Sequence, residues 1–298
     1  MANVKIIVQF SGGKDSQACL IQTCKEFGAN NVTAIFCDTG WEHELTYNHI
    51  NECCNKLGVN LITLKNKSVD GMIGLCKRMR WFPSSQNRMC TVKLKIEPMI
   101  DWVLSQDDNL ILIQGIRAKE SVARAKFETQ CSYFKEYFFE GKTKKLYRKK
   151  AVLEWCKGHD ASVLRPIFDW DAQQVIDYIL ENGQKPNPLY MKGVTRVGCF
   201  PCIYARLNEL KIMAKNPEYV QRVVDLEKEI NITREPGCEA SFFGKNKIPS
   251  RFCKTHPNKA PTFSEVIDYV TRKENAPSLF EEFETETSCM SLYHGLCE

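Results

Sequence analysis

The chain has 298 residues, 43% of them hydrophobic and 26% charged, with a formal net charge of +5. That length holds one sizeable α/β core plus a smaller second unit, and the composition excludes collagen-like and low-complexity chains. No run of about eighteen apolar residues excludes a spanning helix, and the first residues enter a strand-like run without a basic leader or cleavage site. The expectation is a cytoplasmic protein with no membrane partner.

Residues 4–10 are an apolar run that predicts a strand, and residues 17–27 are compatible with a helix. Between them stands Ser11-Gly12-Gly13-Lys14-Asp15-Ser16. A glycine-rich turn from strand to helix aims several backbone N–H groups and the positive end of the helix dipole at one point, where a phosphate fits. Gly12 and Gly13 supply the tight turn, Lys14 a point charge, and Ser11 and Ser16 hydroxyl donors. Asp15 could hold magnesium or a helix terminus. The spacing is neither that of a Walker A loop nor that of a dinucleotide fingerprint.

A second strand is predicted over residues 32–38, closing on Asp38-Thr39-Gly40 with Glu42 and Glu44 just beyond. A carboxylate and a hydroxyl there would face a nucleotide held by the first loop, although so short a string also serves as an N-cap and turn. Further strand signals at residues 60–64 and 109–114 alternate with helix-compatible stretches at residues 44–57 and 93–104. The alternation predicts an α/β fold, a doubly wound and mostly parallel sheet that collects ligands at the carboxyl ends of its strands.

At the end of the fourth strand lies Gly115-Ile116-Arg117-Ala118-Lys119-Glu120-Ser121, with Arg124 three residues on. Arg117 and Arg124 offer guanidinium forks for phosphate or sulfate oxygens, and Glu120 could orient one of them. A basic insertion over about residues 126–160 follows; over residues 133–150 basic residues interleave with tyrosine and phenylalanine, and residues 142–150 are its densest in positive charge. That mixture suits nucleic acid and equally a solvated charged face. Residues 165–170 lead through a predicted helix at 171–181 into Asn187-Pro188-Leu189-Tyr190, Gly193, Thr195-Arg196 and Gly198-Cys199-Phe200-Pro201-Cys202. The prolines force extended geometry around a C-x-x-C pair, a natural half of a metal or iron–sulfur site. Residues 207–231 predict a long helix broken or restarted near Pro217.

The fifteen cysteines are odd in number and scattered, unlike the framework of a small secreted domain. Metal ligation or sulfur chemistry accounts for some of them, while Cys19, Cys24 and Cys37 read as small core hydrophobes. The adjacent pair Cys53-Cys54 lies in a predicted helix and reads as structural.

The loop at residues 11–16 resembles the PP-loop of the ATP pyrophosphatases, the adenine nucleotide α-hydrolases. With Asp38-Thr39-Gly40, Cys90-Thr91 ahead of Lys95-Ile96-Glu97-Pro98, residues 115–124 and residues 166–202, the ordered set resembles the phosphoadenosine phosphosulfate reductase family. It equally resembles the ATP pyrophosphatase component of DNA phosphorothioation systems, which belongs to the same superfamily. The resemblance covers roughly residues 4–205 and implies a nucleotide-binding domain over 1–205 with a helical, cysteine-bearing appendage and tail over 206–298. It implies an adenine nucleotide ligand, ATP with Mg²⁺ or an adenylyl sulfate, held by Ser11, Gly12, Gly13, Lys14, Asp15, Ser16, Asp38, Thr39, Gly40, Gly115 and Arg117. Lys14, Asp15, Asp38, Arg117 and Arg124 are the expected catalytic set.

Cluster-bearing adenylyl-sulfate reductases pair a double cysteine with a later C-x-x-C, and here Met89 takes the first position of the double cysteine. A thioether replaces a thiolate poorly on iron. The expectation is a [4Fe-4S] cluster on Cys90, Cys199, Cys202 and Cys253, with Cys238 as the second choice for the fourth ligand and zinc as the alternative metal. The reductases also use a cysteine in a mobile tail, in Glu-Cys-Gly-Leu-His. This chain ends Tyr293-His294-Gly295-Leu296-Cys297-Glu298, the same residue types in another order, so Cys289 or Cys297 is either a transferable thiol or incidental. The intact Lys14-Asp15 pair suits charge neutralisation during ATP cleavage. The expected activity is therefore AMP transfer to an acceptor such as a nucleic acid, with pyrophosphate release and sulfur insertion, served by a cysteine desulfurase or thioredoxin-like partner. Reduction of adenylyl sulfate or its 3′-phosphorylated form to sulfite is the alternative, and a nucleotide-binding adaptor the second.

Overall fold

The computed structural model describes residues 4–139, 146–256 and 258–272. In chain order they form β1 (Val4–Gln9), α1 (Lys14–Phe27), β2 (Val32–Cys37), α2 (Glu44–Leu57), β3 (Asn60–Leu64), α3 (Gly71–Met79), α4 (Met89–Thr91), a π-helical stretch Val92–Ile96, α5 (Glu97–Val103), β4 (Asn109–Gln114), β5 (Gln130–Ser132), α6 (Lys149–Trp155), β6 (Ala161–Leu164), α7 (Ala172–Glu181), α8 (Pro188–Met191), α9 (Leu207–Ala214), α10 (Pro217–Ile232) and α11 (Phe263–Thr271). Two compact units divide them: Met1–Cys37, Glu44–Leu64 and Ile96–Pro188 in the first, Asp38–His43, Lys65–Lys95 and Leu189–Glu298 in the second.

The first unit is built on one sheet in the order β3-β2-β1-β4-β6-β5. Every pairing is parallel except β5 with β6. The four predicted strands are there, rich in valine and isoleucine because both faces of a parallel sheet are covered. Neighbouring residues go to opposite faces: Val8, Ala34 and Ile113 pack with α1 and α7 residues such as Leu20, Ile21 and Val175, whereas Ile7, Ile35 and Leu112 pack with Ile100, Val103 and Trp155. The sheet is thus doubly wound, with a hydrophobic layer on each side. β5 and β6, three and four residues long, carried no strand signal. The stretch expected as one helix over 93–104 instead enters α5 through a π-helical turn.

The second unit is helical. α9 and α10 meet at Asn216-Pro217, where the proline takes the first turn of the new helix and does not kink a continuous one. Trp41, Phe82, Phe242, Phe243 and Phe263 are all buried in it, with Phe242 edge-on to Phe82, Phe243 and Phe263. The buried Glu227 of α10 ties this core together by accepting the backbone N–H of Phe242 and of Phe263, each at 2.7 Å.

Candidate functional site

In the first unit the chain leaves β1 and turns into α1 through residues 11–16. Gly12 has φ +77, and a Cβ there would stand 2.9 Å from Cγ1 of Ile50, so backbone conformation and space both demand glycine. Gly13 caps α1 in an extended conformation with no side-chain capping bond. The Ser16 hydroxyl closes the turn, donating to the Gly13 carbonyl at 3.0 Å and accepting from the Ser11 N–H at 3.2 Å. Lys14 is 6% exposed. The loop is therefore a fixed cradle at the N-terminus of a fourteen-residue helix, the geometry that binds anions.

Two further pieces seat this loop. Gly115, at the end of β4, lies so close that a Cβ would fall 2.6 Å from the Ser16 nitrogen. Arg117, 5% exposed, donates from Nε to Oδ1 of Asp15 at 2.5 Å. Asp15 thus stands in an ion pair with Arg117. Arg124 pairs instead with Glu120 one turn earlier, so the structure seats Arg117 against the loop and Arg124 in a separate pair. Asn187, completely buried, donates to the Gly12 carbonyl at 3.2 Å and to the Thr46 hydroxyl at 3.4 Å. Gln17 donates to Gln184 and to the Lys185 carbonyl while its carbonyl meets the His49 ring, and burial lowers His49 to about 4, so that ring is neutral. The sequence quoted Asn187 in a motif without giving it a role, and nothing marked Gln17 or His49. Their only signal is a polar side chain at a position of core periodicity.

The second unit carries the other predicted residues. Asp38, 8% exposed, accepts from the Gly40 N–H at 2.8 Å and is bridged by Lys65 at 3.0 Å. Asp38 in turn raises the Lys65 pKa, chiefly through that hydrogen bond. A cavity of about 340 Å³ opens beside this pair, lined by Asp38, Gly40, Lys65, Asn66, Ser68 and Asp70 among others. Thr39 donates its hydroxyl to Glu42 at 2.7 Å, and the buried Glu42 also accepts the N–H groups of Thr39 and Trp41. Cys199 pairs with Glu42 in an isolated β-bridge and lies 3.7 Å from the Thr39 hydroxyl.

The thiols fall into two sets. Cys202 raises the pKa of both Cys90 and Cys199, so its charge reaches each of them, although burial is the larger cause for each. Cys253 sits elsewhere, its thiol on the Pro249 carbonyl at 3.8 Å and its charged neighbours Glu265 and Lys259. Cys238 is exposed, its carbonyl taken by Arg234. Among the described residues no group of three or more His, Cys, Asp or Glu stands at metal-holding spacing. The four predicted thiols as placed do not fit a four-thiolate cluster, because not even three of them stand together as a metal-holding group. Cys289, Cys297 and residues 142–145 of the basic run lie outside the described residues.

No helix among the described residues is long and apolar enough to cross a membrane. An uncharacterized 37.8 kDa protein of Escherichia phage 186 is 28% identical over 98% of this chain and 96% of its own length. An uncharacterized protein of Methanocaldococcus jannaschii is 29% identical over 77% of this chain, which spans only 42% of that relative. Among solved structures, phosphoadenylyl-sulfate reductase from Candida auris aligns over 68% of this chain and 83% of its own, at 20% identity and a TM-score of 0.46. The loop at residues 11–16 and all of the sheet but Val4 fall inside residues 5–205, which match the model of the phosphoadenosine phosphosulfate reductase domain, and the chain belongs to that family.

Proposed function

We propose that this protein cleaves Mg-ATP between the α and β phosphates and transfers AMP to an acceptor, preparing it for sulfur insertion. The observation that supports this reading is the loop at residues 11–16, with Lys14 buried in the cradle and the Asp15 charge balanced by Arg117. An acceptor oxygen attacks the α phosphorus, the bond to the β-phosphate oxygen breaks, and pyrophosphate leaves with that electron pair. The outer sulfur of a persulfide from a cysteine desulfurase-type donor then attacks the acceptor atom that bears the adenylated oxygen, and AMP leaves with that oxygen. A second thiol of the donor breaks the remaining S–S bond, forming a donor disulfide and leaving the sulfur on the acceptor.

The loop amides and Lys14 hold the phosphates and stabilise charge on the leaving pyrophosphate. Magnesium arrives with the nucleotide as part of the substrate, since Asp15 and Asp38 are each engaged by a cationic side chain. Arg117 keeps the loop against the end of β4. No step passes through an iron–sulfur group. Nucleic acid is the acceptor class that the basic, aromatic-bearing surfaces favour.

Pyrophosphate and sulfite are measured after incubation with Mg-ATP, with and without a mixed-sequence oligonucleotide, and separately with adenylyl sulfate plus thiol. Pyrophosphate release that disappears in Lys14→Ala is the expected result. Thiol-dependent sulfite in place of pyrophosphate makes the protein a reductase, and nucleotide binding without turnover makes it an adaptor.

A further inference from the structure

Residues 71–95 hold six lysines and arginines and no acidic residue, and residues 189–208 hold three more, again with none. Both stretches belong to the second unit, and the structure joins them: the Arg88 guanidinium lies over the Tyr204 ring, 5.8 Å from its centroid. Seven residues before Arg88 in the first stretch, at Arg80-Trp81, a second pair stands alike. The Arg234 guanidinium lies 4.4 Å from the centre of Trp81 and donates to the Arg80 carbonyl at 2.8 Å. Trp81 and Tyr204 nevertheless remain 43% and 41% exposed. Arg78, Arg80, Arg88, Arg196 and Arg206 are exposed as well, while Lys77 is paired with Glu229.

We propose that these two stretches form a docking surface for single-stranded nucleic acid, with Trp81 and Tyr204 as stacking platforms and the surrounding arginines as phosphate contacts. The inference rests on the preceding reading only in that such a strand is the acceptor it requires. Each ring is held from one side by a guanidinium plane, so its orientation is set before a base arrives and little side-chain freedom is lost on stacking. Guanidinium forks take phosphodiester oxygens two at a time. A duplex keeps its bases stacked on each other and offers neither ring a partner. A lipid surface is disfavoured because α3 turns Met72, Leu75 and Cys76 inward and leaves Met79 alone as an exposed large apolar side chain, too little for a helix face to insert. The surface also flanks the thiols, with Cys90 two residues after Arg88 and Cys202 two before Tyr204.

The test is fluorescence anisotropy of a labelled twelve-nucleotide single strand with the full-length protein, without ATP. Binding is expected to weaken with salt at a log–log slope of about −2, as for roughly three phosphate contacts. Trp81→Ala and Tyr204→Ala are each expected to weaken it about tenfold, the loss of one stacked base, whereas Trp81→Phe and Tyr204→Phe stay close to the parent. Arg88→Glu should act like the alanine variants. Pyrophosphate release with the nucleotide alone should be unchanged in all of them. If Trp81→Ala fails to fold, Tyr204→Ala and Arg88→Glu carry the same comparison. Absence of binding, binding indifferent to both ring substitutions, or equal preference for the duplex overturns the proposal. So does binding to phosphatidylserine vesicles that the same substitutions abolish. A protein that binds the strand without cleaving ATP rejects the reaction and leaves this surface standing; the reverse result rejects the surface alone.

Discussion

Arg117 and Asp15 form an ion pair, Nε to Oδ1 at 2.5 Å, with the arginine side chain 6% and the aspartate 19% exposed. The pair fastens the chain after β4 to the first turn of α1, which is the floor of the phosphate cradle. Neutralising Asp15 takes from the buried guanidinium the carboxylate it faces, which costs more than the pair contributes. Asp15→Asn is expected to lower stability by about 2–3 kcal/mol, less than a fully buried pair because Asp15 is partly wet. Arg117→Lys should not rescue, since an ammonium cannot reproduce the Nε donor. Urea unfolding at pH 7 measures both. An Asp15→Asn variant as stable as its parent would show that the pair does not hold the loop.

Gly115 answers a steric demand and no demand on φ. A methyl group there meets the Ser16 nitrogen at 2.6 Å and the Asp15 carbonyl carbon at 2.7 Å, both backbone atoms that cannot swing aside. Gly115→Ala must therefore push β4 and the cradle apart, at about 1–3 kcal/mol. The displaced amides no longer converge on a phosphate, so ATP affinity should fall at least tenfold by calorimetry. Retained affinity would mean that the strand end is free to move away without disturbing the loop.

These two contacts show where the sequence was legible. The string at residues 11–16 announced a tight glycine turn from strand into helix, and the apolar runs announced the parallel strands around it. Arg117 was legible as a charge at a strand end, but its partner was not, since pairing over a separation of 102 residues depends on the fold. Arg124 carried the same signal and turned to Glu120 four residues away. β5 and β6 were missed because three- and four-residue strands contain too little pattern, and the Cys253 segment was read from residue type alone, without a path to the other thiols.

Asn187 makes a different kind of contribution to the same loop. Its amide donates to the Gly12 carbonyl at 3.2 Å and fixes the peptide plane that precedes Gly13. Asn187→Ala leaves buried polar atoms unsatisfied, for about 1–3 kcal/mol. Asn187→Asp should be worse above pH 5, because a carboxylate would then face the Gly12 carbonyl oxygen. Thermal melting of both variants, with and without ATP, checks the order. If alanine and aspartate are equally harmful, the hydrogen bond to Gly12 is not what matters.

Glu227 gives the second unit a pH dependence. Burial pushes its carboxyl from 4.5 up to about 7, although the N–H groups of Phe242 and Phe263 pull the other way. The native state therefore holds this proton more tightly than the unfolded chain does. Below about pH 4.5 both states are protonated and the stabilisation from this group is full; it declines as pH rises and is gone above about pH 7. The loss over that interval is roughly 3 kcal/mol. Glu227→Gln cannot ionise, so it should start less stable, its amide nitrogen facing one backbone N–H without a partner, and then show a flatter pH profile between 4.5 and 7. Melting curves at half-unit steps would show the two profiles converging toward pH 7. Parallel profiles would mean that Glu227 titrates alike in the folded and unfolded chains, and that its two backbone bonds hold the carboxylate charged within the core.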